Sequence, residues 1–304
     1  MKNTWLNLCI DIMGETLNYN WGDKASMTNF RVLSTHATAI VNYAYTQNIH
    51  NMTPYDNLIL ICNTLGYGYR YDGDYLSSLT YFQKALSLQQ NSIGKYSLYR
   101  ATLYYNIAWA YDGLLEYDLS LKWYLKDLDI CEAVFGRESI NTAYAYNNTG
   151  IIYMKNNNFR KAYDYYKKAL YIFRMHYGEV HPDVAAIYNN LAEVFARQQL
   201  YTQAIYWQKK DIRICEQTIG TNHPDTATSY NNLGLLYYET HDPQNALIWY
   251  KKAIIIKYQY FGENSQIYIN AKRNARLAFF EINCSDADFD DWIQTILTDK
   301  TEIY

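Results

Sequence analysis

Pro182–Gly220 reads PDVAAIYNNLAEVFARQQLYTQAIYWQKKDIRICEQTIG, and this stretch decides the fold. Pro182 stands where a helix's first N–H has no acceptor, and Asp183 puts negative charge in the first turn. Apolar residues recur at Val184, Ile187, Tyr188, Leu191, Val194 and Phe195, the three- and four-residue spacings of one helix face. Gln198–Tyr201 is a short polar turn. Ala204, Ile205, Trp207, Ile212, Ile214 and Cys215 form a second periodic run. Gly220 ends it, as a residue free to take the left-handed conformation past a helix end. The pattern predicts two helices in a hairpin, and His223-Pro224-Asp225 opens the same plan again.

Outward from this stretch the plan repeats. Gly94, Gly136, Gly178, Gly220 and Gly262 are each 42 residues apart. Gly66, Ala108, Gly150, Ala192 and Gly234 keep the same step, as do Ser78, Ser120, Ala162, Ala204 and Ala246. Three series of small residues with one shared period mark an internal repeat. Small side chains belong where helices approach to about 8–10 Å. Gly150 and Ala162, 12 residues apart, are therefore predicted to face each other across their hairpin. A bulky residue at Gly150 is expected to cost about 1–3 kcal/mol through overpacking.

Composition bounds the function. The 304 residues carry 27 Lys+Arg against 30 Asp+Glu, a net charge of −3. Without a basic excess to neutralise phosphates, nucleic acid is not an expected ligand. Hydrophobic residues make up 49%, but no run of 18 is free of polar groups, so no membrane span is expected. Four prolines and 13 glycines argue against a loop-rich β fold or disorder. Cys9, Cys62, Cys131, Cys215 and Cys284 lie far apart, odd in number and without a CxxC, so neither a disulfide framework nor a zinc site is expected. Asn7, Asp11 and Glu15 interrupt any secretory apolar core near the start, and a cytoplasmic protein is expected. The 35 tyrosines leave two readings open: AT-rich coding, or rings set out for binding.

Catalytic patterns are missing: the chain has no GxxxxGK[ST], HExxH or GxSxG and no His/Cys cluster at metal spacing. No catalysis, metal or cofactor is expected. His181-Pro182-Asp183 recurs one period later and reads as a helix start. His241-Asp242 and Asp72-Gly73-Asp74 read as turns between helices. Cys131 and Cys215 read as core, and Asp286, Asp288, Asp290 and Asp291 as the charged first turn of the last helix.

The order small–x2–aromatic–x8–small–x3–aromatic–x2–small resembles the tetratricopeptide repeat (TPR) signature. It stands here as Gly66, Tyr69, Ser78, Phe82, Ala85; as Gly150, Tyr153, Ala162, Tyr166, Ala169; and as Gly234, Tyr237, Ala246, Tyr250, Ala253. Units 108–127 and 192–211 depart, with Asp127 and Asp211 in the last slot and Gln208 in an aromatic slot. Those departures predict locally looser packing. The 42-residue period, with HPD ahead of YNNL, is similar to the kinesin-light-chain branch, whose helices are longer.

The resemblance covers residues 55–281 and implies an all-α TPR helix-turn-helix solenoid, a right-handed superhelix. Residues 1–54 are then an N-terminal helical cap, 55–262 five repeats, and 263–304 a partial sixth repeat with a capping helix over Ala287–Leu297. Arg276 falls in the sixth small slot, and His36 falls where a zeroth second helix would place its small residue. Phe30–Ala37, FRVLSTHA, is similar to a segment ahead of TPR arrays in some large bacterial signalling NTPases.

The resemblance also implies that first helices line a concave groove. Three residues before each small one stand Asn63, Tyr105, Asn147, Asn189 and Asn231; one residue after stand Tyr67, Trp109, Ile151, Glu193 and Leu235. An amide donates and accepts, so the asparagines suit an extended peptide backbone and their apolar neighbours suit its side chains. These residues are the expected peptide-binding site. The adjacent ladder of Asn106, Asn148, Asn190, Asn232 and Asn274 is expected to bond between repeats. The family's carboxylate clamp, a Lys with an Asn four residues later, is missing from the groove, so an acidic C-terminal motif is not the expected ligand. A protein or peptide partner is expected, with self-association open. Two alternatives are a sensor or regulatory arm of a larger bacterial signalling or defence NTPase, and a signal-peptide-responsive regulator. Against the latter, residues 1–28 are too short for a helix-turn-helix output domain.

Overall fold

The computed structural model describes residues 2–16, 24–47, 56–89, 97–282 and 286–298. Among them are fourteen α-helices and no strand, in two compact units, Met1–Asn157 and Asn158–Tyr304. Unit 1 holds α1 (Lys2–Thr16), α2 (Lys24–Thr46), α3 (Asp56–Tyr71), α4 (Tyr75–Gln89), α5 (Ser97–Gly113), α6 (Tyr117–Phe135) and α7 (Ile140–Lys155). Unit 2 holds α8 (Phe159–Tyr177), α9 (Pro182–Arg197), α10 (Tyr201–Thr218), α11 (Pro224–Glu239), α12 (Pro243–Phe261), α13 (Gln266–Ile282) and α14 (Asp286–Thr298). Helices pack on their chain neighbours from α3 to α7 and from α8 to α13, while α1 and α2 pack on α3 and on each other, and α14 on α12. The fold class is the all-α helix-turn-helix repeat.

Local chemistry explains the hairpins. Gly73, Leu115, Asn157, Gln199 and His241, one per period, turn the chain with φ of 79, 62, 57, 59 and 57°. The next residue then caps the second helix in three cases: Asp74, Asn158 and Asp242 accept from the backbone N–H of Ser77, Lys161 and Asn245. Asp72, beside that turn, pairs with Arg31 at 2.7 Å. The HPD tripeptides are helix starts: Nδ1 of His181 and of His223 accepts from the N–H of Asp183 and Asp225, with proline at the first helical position. Gly136, Gly178 and Gly262 end second helices with φ of 85, 81 and 75° and ψ of 159, −172 and 170°, an extended mirror region nearly exclusive to glycine. The positive φ is as expected, the ψ is not. Gly94 lies outside the described residues.

The small slot has a close ring partner. A Cβ at Gly66 would lie 2.6 Å from the Phe82 ring, and one at Gly234 would lie 2.7 Å from the Tyr250 ring. At these two positions the first helix's glycine makes room for the second helix's aromatic ring.

Units 108–127 and 192–211 carry alanine in that slot, and in the second of them Ala192 and Gln208 border open space. Asp127, Gln208 and Asp211 are buried. Gln208 Nε2 donates to Asp211 Oδ2 at 2.7 Å, and the Cys131 and Cys215 thiols donate to Asp127 and Asp211. Burial pushes the Asp127 carboxyl up to about 7 and the Asp211 carboxyl up to about 6.

The two ends adjust the ruler. His36 is exposed, and Ala37 takes the buried place. Arg276 is exposed, with its guanidinium over the Phe280 ring, beside the buried Ala275. Phe289, Ile293 and Ile296 of α14 share a core with Ala275, Ala278 and Phe279. Asp290 of that helix pairs with Lys272 at 3.0 Å.

Candidate functional site

In unit 2, α9, α10 and α11 frame a cavity of about 590 Å³. Its lining includes Asn189, Glu193 and Leu235, named from the sequence, together with Ala192, Ala196, Arg197, Gln199, Tyr201, Gln208, Asn232, Leu236 and Glu239. α9 lines it with the short side chains of Ala192 and Ala196. A chain of amides lies along it. Asn189 Oδ1 accepts from Asn232 Nδ2 at 3.0 Å and from Gln208 Nε2 at 3.4 Å. At the rim, Arg197 reaches Glu193 at 3.5 Å, and the Tyr201 hydroxyl donates to Glu239 at 3.3 Å.

The second asparagine ladder does bond between repeats. Asn106 donates to the Tyr67 hydroxyl, Asn232 to Asn189, and Asn274 to Asn231 at 3.2 Å. Asn231 is thus the acceptor of such a bond and does not line the cavity. The ladder pattern also missed Gln208, Tyr201 and Glu239, which come from α10 and the turn-side end of α11. Only Gln208 carried a signal, as an amide in an aromatic slot.

In unit 1 the named residues are dispersed. Asn63 lines a smaller cavity of about 360 Å³ with Asn57, Leu60 and Tyr99, and its buried Oδ1 has no hydrogen-bond partner among the described residues. The Tyr67 ring packs edge-on against Phe82, and Tyr105 packs edge-on against Tyr124. Trp109 lies beside Tyr75 and under the Arg70 guanidinium, 4.3 Å from its ring centroid. Asn147 and Ile151 are half-buried on α7.

Models described as tetratricopeptide repeat match residues 58–126, 113–175 and 183–257, and also 147–217. The chain belongs to the tetratricopeptide repeat family. Among solved structures, this TPR chain is similar to BtubC (BKLC) from P. vanneervenii, 21% identical over 84% of this chain and 94% of that one, with a TM-score of 0.60. It is also similar to kinesin-light-chain TPR-like repeats from Podosopora anserina, 16% identical over 65% and 93%, TM-score 0.57. RapI in its apo form is 20% identical over 88% and 96%, TM-score 0.57. At these identities the likeness is one of fold: a TPR scaffold with kinesin-light-chain-like repeats. No curated protein matches the chain. Among the described residues, no helix is long and apolar enough to cross a membrane.

Proposed function

We propose that this TPR protein is a non-catalytic cytoplasmic scaffold that binds an extended segment of a partner protein on its first helices, with the unit 2 cavity as the principal seat. The observation that carries this reading is the meeting of amides with short and apolar walls in one cavity: Asn189, Gln208 and Asn232 beside Ala192, Ala196 and Leu235. A peptide backbone brings one donor and one acceptor per residue, and the three amides can answer both. The volume of about 590 Å³ falls in the range of ordinary ligand pockets. In unit 1, the same reading gives Asn63, Asn147 and Ile151 to the partner and leaves Tyr67, Tyr105 and Trp109 as supporting rings.

Filling the cavity tests this. The full chain is expected to capture members of a random decapeptide array. Ala196→Trp should weaken that capture by roughly tenfold or more, the loss of about 1.4 kcal/mol or more of contact. Tyr171→Ala, on an exposed part of α8, should leave it unchanged. Equal capture by the Ala196→Trp variant would contradict the reading.

A further inference from the structure

We infer that the unit 2 cavity selects an arginine side chain within the bound segment; this rests on the peptide-binding reading above. Gln208 is 2% exposed, and its carboxamide is held in one orientation. Its Nε2 donates to Asp211 Oδ2 and to Asn189 Oδ1. The buried Asp211 also receives the Cys215 thiol at 3.4 Å. An ionised carboxylate can only accept, so Asp211 fixes the nitrogen end of Gln208, and Oε1 is the end left for the cavity. Asn189 already uses Oδ1 for two donors and keeps both N–H groups of Nδ2. Asn232 spends one N–H of Nδ2 on Asn189 and keeps the other together with Oδ1. The floor therefore offers two carbonyl oxygens, Gln208 Oε1 and Asn232 Oδ1, beside amide N–H groups, and the charge at the rim decides which ligand it favours.

The rim favours a cation. It carries Glu193 and Glu239 against Arg197 alone. Arg197 is paired with Glu193, while Glu239 has the Tyr201 hydroxyl. One carboxylate charge is thus left over. Ala192, Ala196, Leu235 and Leu236 supply apolar wall for an aliphatic stem. A guanidinium brings five N–H donors, no acceptor and a positive charge, in a planar fork that can reach several acceptors at once. A carboxylate would meet carbonyl oxygens and Glu239, and an apolar side chain would leave the two amide oxygens without donors. Asp211 is a positioning residue in this scheme: it acts through Gln208.

The test is an array of nonapeptides with uncharged random flanks and a central arginine, lysine, norleucine or glutamate, read with the full chain. Arginine-centred peptides should bind about tenfold tighter than norleucine-centred ones, as expected for a hydrogen-bonded charge. Lysine should be intermediate and glutamate weakest. Gln208→Leu and Glu239→Gln should each bring the arginine-to-norleucine ratio close to one. Helicity is measured alongside, and Glu239 is exposed, so its variant keeps the test valid if Gln208→Leu fails to fold. An arginine preference that survives Glu239→Gln, or equal binding of all four central residues, overturns the inference while leaving peptide binding intact. Lysine equal to arginine overturns the assignment to a guanidinium. Failure of every peptide to bind overturns both readings.

Discussion

Tyr67, Arg70, Phe82 and Trp109 in unit 1 correspond, three 42-residue steps on, to Glu193, Ala196, Gln208 and Leu235 in unit 2. The first set closes its face. The Arg70 guanidinium sits over the Trp109 and Tyr67 rings, and Tyr67 packs on Phe82 with centroids 5.5 Å apart. The second set leaves about 590 Å³ of space floored by amides. One hairpin frame thus carries either a face of packed rings or an open polar cavity, and the side chains at these four positions differ between the two. Each kind of face also needs its own support: Phe82 has Gly66 beneath it, and Gln208 has Asp211.

Exchanging a support should break the contrast most severely. Phe82→Gln removes a fully buried ring and places an amide where Ala85, not an aspartate, stands three residues on. A loss of about 3–5 kcal/mol is expected in urea unfolding. A milder loss would mean that unit 1 tolerates the polar arrangement without its carboxylate.

The buried carboxylates set the next effect. Asp127 and Asp211 titrate near 7 and 6 in the folded chain, against an ordinary value of 3.8. A raised carboxyl pKa means the folded state holds the proton longer. Stability from these groups is full below about pH 4 and is lost as pH rises through 6 at Asp211 and 7 at Asp127. Between pH 4 and 7 the chain should lose about 2–4 kcal/mol per site relative to Asp127→Asn or Asp211→Asn. The check is unfolding free energy measured across that range; parallel curves for parent and variants would show that the carboxyls are not raised.

The smallest effect concerns the turns. Leu115 holds a φ of 62° where Gly73, one period earlier, holds 79°. Leu115→Gly should raise stability by about 0.5–1 kcal/mol, the left-handed strain removed less the added freedom of the unfolded chain. A thermal melt would detect it, and a fall in Tm would place the strain elsewhere.

Much of this architecture was legible in the residues because its causes are local. Helix starts at His181 and His223, chain reversals after Gly136 and Gly178, and small residues at crossings are each written at the position where they act. What filled the small slot was not legible. Spacing says that Gly66 faces the second helix, but only packing shows that the Phe82 ring enters there. The site divided in the same way. Asn189, Glu193 and Leu235 lie in line on first helices and could be read as a ladder. Gln208, Tyr201 and Glu239 join them only through stacking of α10 and α11. Arg70 closes the unit 1 face from a position off the ladder. Asn231, on the ladder, is taken up by Asn274.

The most direct test of an open face in unit 2 against a sealed one in unit 1 is methyl NMR of the full chain, labelled at alanine and leucine and titrated with the arginine-centred nonapeptides. Shift changes should concentrate at Ala192, Ala196, Leu235 and Leu236, with Ala108 and Ala110 beside Trp109 unmoved. Changes centred on Ala108 and Ala110, or none at the four cavity residues while the peptide binds, would contradict it.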